Sequence, residues 1–222
     1  MMRKKVIAGL FAGALAVSML GCGSKQAEET STAEETVEET AEADPVTLNI
    51  FAAASMTETL TEIQEMYKEV APNVTLVFNF DSSGTLKTQI QEGADCDVFI
   101  SAAQKQMNQL DKDADPEVNT DGLDYVLEGT RMNLLENKVV LAVPDGNPKN
   151  IESFADLGTD KLILLALGNE DVPVGQYSTE ILTNLGILDS LEATGKITYG
   201  SNVKEVTTQV SEAAADAGII YA

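Results

Sequence analysis

Short apolar runs alternate with longer amphipathic stretches from Val46 to the last residue of the chain. The runs VTLNIFAAAS, VTLVFNF and DVFISA have the length and the β-branched and aromatic content of strands. Between them, apolar residues recur every three or four positions, which predicts helices with one core-facing side. In the first amphipathic stretch these residues are Met56, Leu60, Ile63, Tyr67 and Val70.

The same alternation continues to the end of the chain. Further strands are predicted at KVVLAVP (138–144), LILLAL (162–167), KITYG and GIIYA. Further helices are predicted through Leu86 and Ile90 with a stop at Gly93, through Met107 and Leu110, around 181–185, and through Val206 and Val210. Alternating strands and helices predict an α/β fold with largely parallel sheets.

A polar, irregular stretch from about Asp111 to Asn133 precedes KVVLAVP, where the chain is predicted to cross to a second lobe. The first lobe would comprise residues 46–135 and the second residues 136–222. Each would be a mainly parallel sheet flanked by helices, with a cleft between the two. Ligands in such folds bind at the carboxyl ends of strands, beside helix N-termini.

Composition narrows the function classes. The chain has 222 residues, 44% of them hydrophobic, and its 14 basic against 36 acidic side chains give a net charge of -22. Nucleic-acid binding is excluded as an interpretation, because it depends on basic side chains that displace counterions. The sequence has no His, which removes the commonest general base and transition-metal ligand.

The N-terminal region has the layout of a targeting segment. Residues 1–21 join a basic start to an apolar run that is short for a membrane span, as in a secretory signal peptide. The run ends in MLGC, which resembles the lipobox of bacterial lipoproteins with Met19 where Leu is usual. That resemblance implies lipidation of Cys22 and an extracytoplasmic protein anchored to the cell membrane; the alternative is a plain secreted protein with a chance cysteine.

Residues 22–45 are rich in Glu, Thr and Ala, which predicts a disordered linker. Cys96 then has no partner for a disulfide within the mature chain.

Four predicted strand-to-helix junctions carry similar chemistry: AAASM, DSSGT, DVPVGQY and SNVKEV. A helix N-terminus offers unpaired N–H groups and about half a positive charge, and it attracts anions without a cationic side chain. Each junction alone is equally well explained by ordinary helix capping through Ser or Asn, which contributes ~1 kcal/mol. After Cys22 the chain contains a single arginine, Arg131, so an oxyanion would have to be bound by neutral donors. Such donors suit a fully ionised ligand, whereas a protonated one would also need a carboxylate acceptor.

The stretches FAAASMTETLTEI, FNFDSSGTLKTQIQEGADCDVFISAAQKQMNQL, VPVGQY, NVKEV and GIIYA occur in the order found in molybdate-binding proteins of ABC importers. From about Leu48 onward the chain resembles that family. The resemblance implies the two-lobed class II binding-protein fold and an oxyanion, molybdate or tungstate, that is bound between the lobes by neutral donors. It implies no cofactor, no metal ligated directly by side chains, a monomer, and a permease and ATPase complex as the membrane partner.

Five ligand-binding residues follow from the resemblance, motif by motif. Ser55 of AAAS and Ser83 of the SSxT motif would donate through hydroxyl and backbone N–H groups. Val174 of VPxG and Val203 of NV would donate through their backbone N–H groups, and Tyr221 of GIxY through its hydroxyl.

Three features depart from the family pattern. Val174 stands where Ala is usual and could narrow the cleft. Asp81 places a carboxylate beside the anion-binding turn, where it would weaken binding if it pointed inward; a solvated or capping role is the alternative. The family also continues past the tyrosine strand and returns to the first lobe, so we expect this chain to be incomplete there.

The sequence thus predicts a lipid-anchored solute-binding protein that delivers molybdate or tungstate to a permease, and no enzyme. One alternative is another solute in the same fold, either ferric ion or an organic acid. A ferric site would need clustered tyrosines and carboxylates, and the five tyrosines show no adjacent pair. An organic acid usually needs an arginine, and the motifs contain none. The other is an extracellular serine hydrolase using Ser55 or Ser83. Only Lys87, four residues after Ser83, offers a base on the same helix face.

Overall fold

A computed structural model describes residues 43–222 as a mixed α/β fold with two sheets. The predicted signal peptide, Cys22 and most of the predicted linker lie outside the described residues. Among the described helices, none has the length and apolar character needed to cross a membrane.

The first sheet is entirely parallel. Its strands β1 (Val46–Ala53), β2 (Val74–Asp81) and β3 (Val98–Ile100) lie in the order β2-β1-β3. A 3-10 turn (Ala54–Met56) joins β1 to helix α1 (Thr57–Val70), and helices α2 (Ser83–Gln91) and α3 (Gln104–Leu110) follow β2 and β3. The predicted strand–helix alternation is confirmed in this half of the chain.

The second sheet has four strands, β4 (Val139–Ala142), β5 (Leu165–Gly168), β6 (Ile197–Gly200) and β7 (Ala217–Tyr221), in the order β4-β7-β5-β6. β5 pairs in parallel with both β6 and β7, and β4 alone pairs antiparallel, with β7. Three helices accompany the sheet: α4 (Pro173–Asn184), α5 (Leu188–Ala193) and α6 (Val203–Ser211). A second 3-10 helix spans Phe154–Gly158.

Each sheet has its own hydrophobic core. The core of the second sheet is the larger and includes Leu157, Leu165 and Leu182, all fully buried. The core of the first sheet is built around Phe51, Leu86 and Leu110. Residues 111–138 contain no helix or strand, as predicted for most of this stretch.

Three predictions need correction. The side of α1 predicted to face the core is buried only at Leu60, while Ile63 and Val70 are exposed, because α1 covers only part of a three-stranded sheet. The strand predicted at 162–167 begins only at Leu165, since Leu162 belongs to a turn and is buried by the same core. The short helix α5 was not predicted; its six residues are too few for a periodic signal, and burial of Leu191 stabilises it.

Candidate functional site

One small cavity collects residues from the carboxyl ends of strands in both sheets. Ser55, Ser83, Val203 and Tyr221, four of the five predicted ligand-binding residues, line it. Its volume is about 10 Å³, roughly the space of one water-sized sphere. The fold therefore brings residues from all four junctions and from the tyrosine strand to a single cavity.

The two serines of the DSSGT junction have different roles. Ser82 is the N-cap of α2, and its Oγ accepts a hydrogen bond from the Thr85 N–H at 3.1 Å. Ser83 is the first helical residue, is fully buried, and its Oγ accepts from the Ala102 N–H at 2.9 Å. A hydroxyl that accepts in this way keeps its own hydrogen for a second partner, so Ser83 is positioned as a donor toward the cavity.

Ser55 lies in the 3-10 turn before α1 and not, as predicted, at the start of the helix itself. It is half-buried and lines the cavity. Within residues 43–222 the Ser55 hydroxyl has no protein hydrogen-bond partner, which leaves it available as a donor.

Tyr221 is the last residue of β7, and its hydroxyl oxygen is buried without a hydrogen-bond partner in the described part of the chain. A buried hydroxyl with no partner costs free energy and is uncommon in folded proteins. Burial, and to a lesser degree the charge of Tyr177, raises the pKa of Tyr221 well above its usual range. The group therefore stays a hydroxyl that can donate.

The VPVG junction begins α4, with Val172 as N-cap and Pro173 as the first helical residue. Because proline has no N–H, the Val174 N–H is the first donor of this helix. Val172 and Pro173 line the cavity, whereas Val174 does not. The Val174 side chain is fully buried in the core of the second sheet, so it packs there and does not narrow the cleft. Its role as a backbone donor stays a prediction.

At the start of α6, Asn202 is the N-cap and its Oδ1 accepts from the Glu205 N–H at 3.1 Å. Val203, the first helical residue, lines the cavity and is buried. The cap thus uses a later N–H of the helix, and the first N–H is left for another acceptor.

No lysine or arginine lines this cavity in the described part of the chain. Arg131 lies in a separate network, where it donates to Asp111 Oδ2 at 2.9 Å and to the side chains of Gln104 and Asn108. The one charged residue at the cavity is Asp81, whose Oδ1 accepts from the Ser82 N–H at 2.7 Å. Asp81 thus lies in the cavity wall and accepts from the N–H of Ser82, while Ser82 and not Asp81 caps α2.

Sequence reasoning missed Ala102, which follows β3 and orients the Ser83 hydroxyl through its N–H. A backbone donor leaves no side-chain signature, so no sequence signal could have identified it.

Metal coordination has less support: within residues 43–222, no group of three or more His, Cys, Asp or Glu side chains could hold a metal ion. Neutral donors and helix N-termini suit a small anion that offers only acceptor atoms.

Residues 48–222 match the family model described as bacterial extracellular solute-binding protein. A putative ABC transporter substrate-binding lipoprotein of Bacillus subtilis is 34% identical over 96% of this chain and 73% of its own length. A molybdate-binding protein of Haemophilus influenzae is 33% identical over 78% of this chain and 65% of its own. The chain thus spans between 65% and 73% of the length of these two relatives.

Among solved structures, the periplasmic molybdate-binding protein of Azotobacter vinelandii superposes with a TM-score of 0.66 at 27% identity. The superposition covers 78% of this chain and 71% of that one.

Proposed function

Because the chain belongs to the bacterial extracellular solute-binding protein family, we propose that it captures molybdate, or tungstate, in the cavity between its two sheets. The proposed donors are Ser55, Ser83, Val174, Val203 and Tyr221. The protein then delivers the oxyanion to an ABC permease and its ATPase, and a lipid on Cys22 anchors it to the outer face of the cell membrane. It acts as a monomer and catalyses no reaction.

The observation that carries this proposal is the buried, unpartnered hydroxyl of Tyr221 in the same cavity as Ser83. The Ser83 oxygen already accepts from Ala102, so both hydroxyls have a hydrogen to donate and little else to bind. An oxyanion with acceptor oxygens in several directions satisfies both groups. A cation would leave the hydrogen of each hydroxyl without an acceptor.

Size and protonation determine which oxyanion binds, and because the cavity of about 10 Å³ has the space of only one water-sized sphere, the donors must move apart to admit any of them. Molybdate and tungstate present four acceptor oxygens and no proton at neutral pH, so neutral donors satisfy them completely. Sulfate has the same charge but is smaller, and a closed set of fixed donors discriminates against it by leaving some hydrogen bonds long. Hydrogen phosphate needs an acceptor for its proton, and among the described residues the one carboxylate that lines the cavity, Asp81, already has its Oδ1 engaged by the Ser82 N–H.

The alternatives have less support. A ferric site would need several anionic oxygen ligands, but burial disfavours the phenolate of Tyr221, and Asp81 is the only other such group at the cavity. A serine hydrolase would need a base on Ser55 or Ser83. The polar contact of the Ser83 hydroxyl is the Ala102 N–H, which cannot take a proton.

Isothermal titration of the purified protein with molybdate, tungstate, sulfate and phosphate tests the proposal. We expect tight binding of the first two anions and weak or no binding of the others. Ser55→Ala and Ser83→Ala should each weaken molybdate binding by roughly 1.5–3 kcal/mol, the value of one hydrogen bond to a charged group. Lys87→Ala, on the same helix as Ser83, is the matched control and should bind as tightly as the wild type. Absence of heat with every anion, from protein shown to be folded, would refute the proposal.

A further inference from the structure

The N-terminus of α2 contacts the second sheet directly. The N–H of Gly84, the second residue of α2, donates to the carbonyl oxygen of Asp171 at 2.9 Å. Asp171 lies in the loop between β5 and α4. This hydrogen bond therefore joins two halves of the protein, one built on the first sheet (residues 46–110) and the other on the second sheet (residues 139–222). Adjacent residues of α2 therefore have different partners. Ser83 lines the cavity, and Gly84 contacts the half that contains the second sheet.

The contact requires a residue without a side chain. A Cβ atom at position 84 would lie 2.5 Å from the Asp171 carbonyl oxygen and 2.8 Å from its Cα. Both atoms belong to the backbone, so no side-chain rotation relieves the overlap. Gly84 lies in a helix and does not have a positive φ; the requirement is for space and not for an unusual backbone conformation.

A second, weaker contact crosses the same cleft. The Lys204 ammonium at the start of α6 forms an ion pair with the Glu58 carboxylate at the start of α1. The two side chains are 48% and 70% exposed. Solvent and salt screen such pairs strongly, so the Gly84–Asp171 hydrogen bond is the more specific of the two contacts.

We infer that Gly84 is a closure residue: its N–H links the two halves, and its missing side chain sets how closely they approach around the cavity. The link uses protein atoms alone and so favours the closed conformation independently of the solute. The part of this inference that concerns oxyanion binding rests on the proposed function. Donors from the two sheets converge on the cavity only when the two halves meet.

Gly175 provides an informative contrast. A Cβ atom there would lie 2.3 Å from the Gly168 carbonyl oxygen and 2.4 Å from that of Asn169. These atoms belong to the same half of the protein as Gly175, so opening the cleft cannot relieve the overlap. Gly175→Ala should therefore damage the fold, whereas Gly84→Ala should affect only closure.

The test compares wild type, Gly84→Ala, Gly175→Ala and Thr88→Ala. Thr88 is exposed one turn further along α2, and its Oγ1 donates to the Gly84 carbonyl oxygen at 3.2 Å; its replacement controls for helix propensity and for loss of that local hydrogen bond, and it adds no side chain at the Gly84–Asp171 contact. Small-angle scattering without any anion gives the radius of gyration, thermal melting gives the stability, and titration with molybdate gives the Kd.

For Gly84→Ala we expect a larger radius of gyration than the wild type and an unchanged or higher melting temperature, since Ala is the better helix former. The Kd for molybdate should weaken roughly tenfold or more, because the apparent Kd scales inversely with the closed fraction. Thr88→Ala should match the wild type in radius of gyration and in Kd, and Gly175→Ala should melt at a lower temperature.

Equal radii of gyration for Gly84→Ala and wild type would overturn the inference, as would a loss of melting temperature as large as that of Gly175→Ala. If the wild type binds no molybdate, the proposed function fails. The comparison of radii without anion still decides the closure role, so the two failures are distinguishable.

Discussion

Replacement of Tyr221 by Phe should change affinity and stability in different directions. The hydroxyl oxygen of Tyr221 is buried and makes no hydrogen bond in the described part of the chain, so its removal breaks no contact within the protein. The ring still packs against the core of the second sheet, and the backbone pairing of Tyr221 with Val139 does not depend on the side chain. We therefore expect the ligand-free variant to be as stable as the wild type or slightly more so, since an unpaired buried polar group is removed.

The affinity should fall instead. A hydrogen bond to a charged group contributes about 1.5–3 kcal/mol, which corresponds to a roughly 10- to 150-fold weaker Kd for molybdate. Thermal melting without anion and isothermal titration with molybdate measure the two effects on the same preparation. The tyrosine should also remain a donor in alkaline solution, because burial raises its pKa. Above pH about 10 the wild type should lose stability relative to Tyr221→Phe, because the tyrosine then ionises in the unfolded chain and not in the folded one.

Ser83→Ala provides the comparison, because it should weaken binding similarly and also destabilise the protein. Its hydroxyl accepts the Ala102 N–H at 2.9 Å, and loss of that acceptor leaves a partly buried donor unpaired, at about 1–3 kcal/mol. A Tyr221→Phe variant with wild-type affinity would refute the assignment of its hydroxyl as a ligand donor. A marked loss of stability in that variant would show that the hydroxyl has a partner within the protein.

Three further predictions concern single side chains. Asp81→Asn should tighten molybdate binding severalfold and flatten its dependence on salt, because it removes a like charge from the cavity wall; titration at two ionic strengths checks this. Ala213 ends α6 with a φ of 55°, so Ala213→Gly should raise the free energy of unfolding by about 0.5–1 kcal/mol in urea denaturation, as relief of left-handed strain exceeds the added chain entropy. Asp156 has its pKa lowered to about 2, chiefly by the hydrogen bond from Lys161; its stabilising contribution is therefore complete above pH about 4 and lost as the pH falls toward 2. Asp156→Asn should remove that part of the acid dependence in urea titrations between pH 5 and 2.5.

The sequence predicted the fold well where periodicity was long and boundaries were marked. The strand–helix order was correct apart from α5, because the strands are short runs of mainly apolar residues and because helices α2 and α6 begin at the side-chain caps Ser82 and Asn202. The failures have a common origin in tertiary structure. Leu162 looks like strand and is held in a turn by the same core that buries Leu191 of the unpredicted helix α5.

The candidate site was predictable in its side chains and not in its backbone. Ser55, Ser83 and Tyr221 carry hydroxyls that a motif preserves, and the fold brings all three to one cavity. The Ala102 N–H and the Gly84 N–H are equally specific contacts, but any residue has an N–H, so composition and periodicity cannot mark them. Only the paths of β3 and α2 in space reveal these two donors.

Helix capping and the proposed anion binding are the two explanations of the DSSGT junction, and we assign them to neighbouring residues. Ser82 and Asn202 accept the N–H groups of residues three positions further on, which leaves the first N–H of each helix unused by its cap. Ser83 and Val203 occupy those first positions and line the cavity. The same division would allow a chain with a net charge of -22 to bind the proposed dianion. Most of its surface carboxylates are screened by salt beyond about 8–10 Å, whereas helix N-termini and hydroxyls act at contact distance in a buried cavity, where electrostatic interactions are strongest.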